Sequence, residues 1–141
     1  MRLLLAAILA LAVAAPAQAL DLRRFDSLLN AQRNHYGLPS LSQNRALMRA
    51  AHAHALDVAQ RGMVSHVSTN GNRLADRARA AGYCYRTLAE NIAWGHDTEV
   101  ANIRGWMNSA GHRRNILHNG ITQYGVGRVG DIWVMVVGRP C

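Results

Sequence analysis

Two histidines and one glutamate stand out among the side chains able to do chemistry. His66 lies in Met63-Val64-Ser65-His66, and His112 in Ser109-Ala110-Gly111-His112-Arg113. Between them, Glu90 in Ala89-Glu90-Asn91-Ile92-Ala93 is the only acid from Tyr83 to Trp94. Two neutral imidazoles and a carboxylate can hold zinc or another divalent metal and leave a position for water. Glu90 would then be a third ligand or a general base, but not both. Without a metal, the same residues could form a structural cluster, with Glu90 hydrogen-bonded to both histidines and to Asn91. Ser65 and Ser109 each lie near a histidine in sequence, yet no triad order can be read from one chain, so a nucleophilic mechanism has little support.

The other five histidines carry weaker signals. His52 and His54 are two residues apart in a helical segment, so they face different ways and cannot form the i, i+4 pair of a zinc helix. His54 shares an apolar stripe and reads as a hydrogen-bonded core residue. His35 at a helix end and His118 beside Asn119-Gly120 are expected to be exposed, and His96 to lie in a loop.

Helical patterning fills the first half of the chain after its leader. Leu22, Phe25, Leu28 and Leu29 recur at helical spacing until Tyr36-Gly37-Leu38-Pro39 stops them. Ser42 is a candidate cap for a second helix running to about Gln60, with Leu47, Ala51, His54 and Val58 on one stripe and Gly62 at its end. A third, short helix is expected over Arg73 to Ala81, and a strand from Tyr83 to Trp94. Asp97 or Thr98 can cap a fourth helix, turning Val100, Ile103 and Met107 inward. Tyr124 to Val129 and Ile132 to Val137 read as a hairpin across Gly130-Asp131. Ile132 to Val137 is apolar at every position, as in a strand covered on both faces. The expected fold is therefore an α/β (α+β) three-layer α-β-α sandwich around a small, largely antiparallel sheet.

The N-terminus reads as an export leader. Met1-Arg2 supplies a positive charge, Leu3 to Ala15 is apolar, Pro16 interrupts, and Ala17-Gln18-Ala19 offers a cleavage site. The apolar run is shorter than the roughly 20 residues of a membrane span. We therefore expect residues 1–19 to be a signal peptide and residues 20–141 a single exported domain, periplasmic or extracellular and not membrane-spanning. Cys84 and Cys141 would then meet oxidising conditions, and a bridge between them is preferred over two unpaired thiols. Such a bridge would be worth about 4 kcal/mol by chain entropy.

All sixteen basic residues are arginine, and after cleavage fifteen would face eight acids. This positive balance suits anionic envelope polymers or lipid surfaces. The arginines are scattered, with only Arg23-Arg24 and Arg113-Arg114 paired, and no dense basic tract interleaves with aromatics. A solvated positive surface is the simpler reading, and nucleic acid ranks last among partners.

Taken in order, Ser65-His66, Ala89-Glu90-Asn91-Ile92-Ala93-Trp94-Gly95, Trp106-Met107-Asn108-Ser109, Gly111-His112-Arg113, Asn115-Ile116-Leu117 and Tyr124-Gly125-Val126-Gly127 resemble the CAP superfamily. This is the group of cysteine-rich secretory, antigen and pathogenesis-related proteins, and the match is to its compact bacterial SCP-like branch. Asn30, Arg33, Ala55 and Asp57 extend the likeness over essentially the whole mature chain. The resemblance implies an α-β-α sandwich with a central cleft of two histidines and, in many members, two acids. His66, Glu90 and His112 fall on three of those positions, while Ser109 occupies the fourth. It further implies a monomeric secreted module that binds a lipid, an envelope component or a protein partner. Metal-dependent hydrolysis in the same cleft is the alternative, and no cofactor is required by the first reading.

Overall fold

The computed structural model describes residues 19–141, so the expected leader lies outside them except for Ala19. Helix α1 spans Leu22–His35 and starts where the Asp21 carboxylate accepts from the Arg24 N–H. A two-residue strand β1 (Ser42–Gln43) precedes helix α2 (Arg45–Arg61). The α2 cap is Asn44, whose side chain accepts from the N–H groups of Ala46 and Leu47, and not Ser42 as the sequence suggested. Ser42 is drawn into the sheet instead, pairing with Gln123 and donating its N–H to the Thr122 carbonyl. Gly62 ends α2 in the left-handed region at φ 67°.

Helix α3 (Leu74–Ala80) leads into strand β2 (Tyr85–Ala93). Thr98 caps helix α4 (Glu99–Met107), which is followed by α5 (Ala110–Ile116) and the hairpin β3 (Gln123–Val129) and β4 (Ile132–Pro140). Sheet order is β1-β3-β4-β2, with β1 parallel to β3 and the other pairs antiparallel.

Alternation along β4 builds both cores. Trp133, Met135 and Val137 face α1, α4 and α5, where Phe25, Leu29, Ile103, Trp106 and Ile116 pack. Val134 and Val136 face Leu47, Ala51 and Ala55 of α2 and Ala78 of α3. That is why every position of β4 from Ile132 to Val137 is apolar: the strand is covered on both sides. Helix α2 lies so close to β3 that a Cβ on Gly125 would come within 2.1 Å of the Leu47 carbonyl carbon. One on Gly127 would come within 2.4 Å of the His52 Cα.

Helix α4 is rotated from the expected stripe. It buries Glu99, Asn102, Ile103 and Trp106, leaving Val100 and Met107 half-buried. The Trp106 ring takes the central place, edge-on to Phe25 at 6.2 Å. Glu99 stays inside because its carboxylate accepts the Asp21 N–H at 2.9 Å, tying α4 to the start of α1. Cys84 and Cys141 are bridged, with Cα atoms 5.5 Å apart, so the last residue is fastened just before β2. Among the described residues, no helix is long and apolar enough to cross a membrane.

Candidate functional site

Strand β2 places the site. Glu90 and Asn91 are consecutive, so their side chains leave opposite faces of the sheet. The Glu90 carboxylate is buried and meets the loop after α2: one oxygen accepts from His66 Nδ1 at 2.8 Å, the other from the Arg77 guanidinium at 2.5 Å. Asn91 reaches the other layer, donating to the His112 carbonyl at 3.0 Å and accepting from Asn115 Nδ2 at 2.8 Å. Asn115 also donates to the Glu90 carbonyl, so α5 is pinned to β2 at two successive residues. His66 and His112 are thus hung from one strand by its two faces.

Other buried polar groups fix the loops that carry these histidines. His54 Nε2 lies 2.8 Å from the Ser65 carbonyl and Nδ1 lies 3.0 Å from Ser68 Oγ, which brackets His66. His54 is fully buried, as its place on the apolar stripe suggested. Arg77 donates to the His66 and Asn72 carbonyls as well as to Glu90. Asp57 accepts from the Thr69 N–H. On the far layer, Arg33 is buried and donates to the carbonyls of Pro39, Ile116 and His118, closing the C-terminal end of α5 against α1. His35 is exposed; His118 is half-buried, contrary to expectation, because its Nδ1 accepts the Gly120 N–H. His96 lies in the β2–α4 loop, where its ring packs over Gly105.

Glu90 does not bridge the two histidines and Asn91. Its partners are His66 and Arg77, with His54 Nε2 at 4.0 Å. Arg77 was missed in the sequence because the arginines read as surface charge. The available signal was its place in a short helix, three residues after Leu74 and next to buried Ala78.

The electrostatics separate the histidines. The hydrogen bond to Glu90 raises the His66 pKa above its usual value, against the opposing effect of partial burial. Burial lowers that of His112, and the charge of nearby His66 lowers it further. Burial likewise lowers that of His54. At neutral pH, His112 is therefore held in the uncharged form.

A cavity of about 270 Å³ opens beside His112, lined also by Trp94, His96, Trp106 and Ser109. Trp94 is also a wall of a second, largely apolar groove of about 610 Å³ with Val58, Met63, Val64 and Ile132. Trp94 is 62% exposed and Met63 61%, large apolar surfaces left in water beside the histidines. Both Glu90 oxygens are already engaged. Among the described residues, no group of three or more His, Cys, Asp or Glu side chains is arranged to hold a metal ion. The donors His66, His112 and Glu90 therefore do not form a ready three-ligand set.

A three-layer α-β-α sandwich that carries His66 and His112 on the two sides of its edge strand defines the class. The family model for CAP, the cysteine-rich secretory protein family, matches residues 27–135, and the chain belongs to that family. It is 38% identical over 108 residues to the uncharacterized protein YkwD of Bacillus subtilis (strain 168), covering 75% of this chain and 42% of that protein. Among solved structures, an extracellular SCP-domain protein from Bacillus anthracis superposes with a TM-score of 0.80 at 31% identity, over 83% of this chain and 39% of that one. An outer surface protein from Borrelia burgdorferi shares the fold, with a TM-score of 0.80 at 19% identity over 86% and 93% of the two chains. The chain spans less than half the length of the Bacillus proteins it matches.

Proposed function

We propose that this CAP domain is an exported binding module and that its ligand is taken at the cleft between His66 and His112. The observation that carries this reading is the apolar rim. Met63, Val64 and Trp94 stand exposed along one largely apolar groove, and Trp94 also walls the His112 cavity, so this apolar surface is contiguous. Glu90 supports it, because a carboxylate saturated by Arg77 and His66 is a holder of the cleft and a poor free base. The ligand then carries an apolar part for the Trp94 groove and a polar part for the His112 cavity. Lipids, envelope components and protein segments all offer that combination, and the excess of arginine favours anionic ones.

The test is calorimetry of the oxidised protein against anionic vesicles, cell-wall fragments and a peptide library, with turnover followed in parallel. Binding that weakens in Trp94→Ala, without turnover, is expected. Turnover of any of these, abolished in Glu90→Gln while the fold is retained, would place the cleft among enzymes instead.

The second reading, a divalent-metal hydrolase or peptidase, has one observation in its favour: His112 is kept neutral, as a ligand must be. His66, His112 and a reoriented Glu90 are the residues that would hold zinc, which would supply Lewis acidity. Zinc uptake by the wild type that disappears in the His66→Ala, His112→Ala double variant is the result this reading requires.

A further inference from the structure

Glu99 is only 6% exposed in the first turn of α4, and among the described residues no arginine or histidine pairs with it. Its carboxylate has one hydrogen-bond donor among them, the Asp21 N–H on Oε1 at 2.9 Å. A carboxylate taken out of water with so little around it is costly. The N-terminal end of α4 offsets part of that cost. The helix dipole alone, though, does not call for a carboxylate turned onto the residue that precedes α1.

That residue stands two places after the expected end of the leader. Cleavage there hydrolyses the Ala19–Leu20 peptide bond: water supplies the hydroxyl of a new Ala19 carboxyl group, and Leu20 N leaves as an α-amine that takes a proton at neutral pH. Consecutive backbone nitrogens stand at most about 3.7 Å apart. Leu20 N therefore lies within about 6.6 Å of Glu99 Oε1, the sum of that spacing and the 2.9 Å hydrogen bond. Leu20 is already seated, half-buried against the core that holds Phe25 and Trp106. The new charge thus arises beside the acid, with little further chain entropy to lose. Rotation about the Leu20 Cα–C bond, once Ala19 no longer holds the nitrogen, closes the remaining distance. The neighbouring charges are otherwise engaged or outside: the Asp21 carboxylate caps α1 on the Arg24 N–H, and Arg23 and Arg24 are exposed.

We propose that Glu99 receives the chain's own new N-terminus: the Leu20 α-ammonium made by leader cleavage pairs with the Glu99 carboxylate and locks α1 to α4 in the processed protein. The unprocessed chain offers only an uncharged amide at that nitrogen. Helix α4 supplies Gly105 and Trp106 to the wall of the His112 cavity, so the lock also steadies one side of the cleft after export. The proposal rests on cleavage after Ala19 and not on what the cleft binds.

The experiment compares the oxidised, processed chain bearing a free Leu20 amine with the same chain N-acetylated, and adds Glu99→Gln in both forms. Acetylation removes the charge but keeps an N–H, so it isolates the ammonium. In urea titrations the free terminus is expected to raise the folding equilibrium constant about tenfold over the acetylated chain, as one charge-assisted hydrogen bond does. That advantage should vanish in Glu99→Gln. The Leu20 amine, followed by NMR, should titrate above its usual value of about 8 and fall back toward it in Glu99→Gln. Should Glu99→Gln lose its fold, Asp21→Asn keeps the α1 cap and removes the competing acid; a Leu20 amine at about 8 in that variant overturns the proposal. Protein exported by cells producing the full chain should begin at Leu20 by intact mass. Unchanged stability on acetylation, an effect that persists in Glu99→Gln, or an exported chain that begins elsewhere would each overturn the lock. None of these results bears on ligand binding at the cleft, which Trp94→Ala tests separately.

Discussion

Replacing Glu90 with glutamine removes one charge and almost no volume, so its effect isolates what the carboxylate does. In the wild type the carboxylate is buried between the Arg77 guanidinium and His66 Nδ1. Removing one partner of a buried ion pair costs about 3–5 kcal/mol, chiefly because the surviving charge stays buried without compensation. Two features place this case at the lower end. Arg77 keeps the His66 and Asn72 carbonyls as acceptors, and the glutamine carbonyl can still accept from it. A loss of about 3 kcal/mol is therefore expected, read as a lower urea midpoint with an unchanged slope. The substitution has a second signature. The rise in the His66 pKa comes first from its hydrogen bond to Glu90, so the titration midpoint of His66 should fall in Glu90→Gln. Histidine ring NMR across the pH range follows this directly. Loss of less than about 1 kcal/mol with an unmoved His66 midpoint would refute the ion-pair account of the site.

Other outcomes follow from separate features. His66 should titrate above about 6.5 and His112 and His54 below it; a His112 midpoint above that of His66 would contradict the geometry. Correspondingly, the stability that His66 contributes is complete below about pH 6.5 and is lost as pH rises through its folded pKa. The contribution of His54, held neutral by burial, runs the other way and is lost as pH falls below about 6.5. Gly125→Ala drives a methyl into the α2 backbone and should cost about 3 kcal/mol or more; a urea midpoint near that of the wild type would show that α2 can move away. Reducing the Cys84–Cys141 bridge, which spans 57 residues of sequence, should lower stability by about 4 kcal/mol. Its presence in purified protein should appear as an intact mass two hydrogens below the reduced form.

Much of the sandwich was legible because its signals are local. The all-apolar run of β4 and the Gly130-Asp131 turn specify a hairpin covered on both faces, and the Leu47, Ala51, His54, Val58 stripe orients α2 correctly. What escaped depends on distant partners. Ser42 has the chemistry of a cap, but a carbonyl eighty residues away claims its N–H, so the helix begins later. Helix α5 has only seven residues, opens on Ala110-Gly111 and lacks a side-chain cap; tertiary hydrogen bonds from Asn91 and Asn115 hold it in place of propensity. The resemblance named His66, Glu90 and His112, but the grip on Glu90 comes from Arg77, one of two arginines buried among the described residues in a set that read as surface charge. The other, Arg33, meets only carbonyls, and no sequence spacing announces such a partner.

The alternation of Glu90 and Asn91 ties the cleft to the pairing of β2 with β4. A slip of one residue would turn the carboxylate toward α5 and the amide toward the His66 loop, breaking both supports together. The cleft therefore has no independent way to come apart by degrees at its centre. Side chains on its rim can adapt to a ligand, while the distance between the two histidine-bearing layers is set by the thickness of the sheet itself. Widening the separation of those layers would mean unzipping an edge strand whose beginning is fastened by the disulfide.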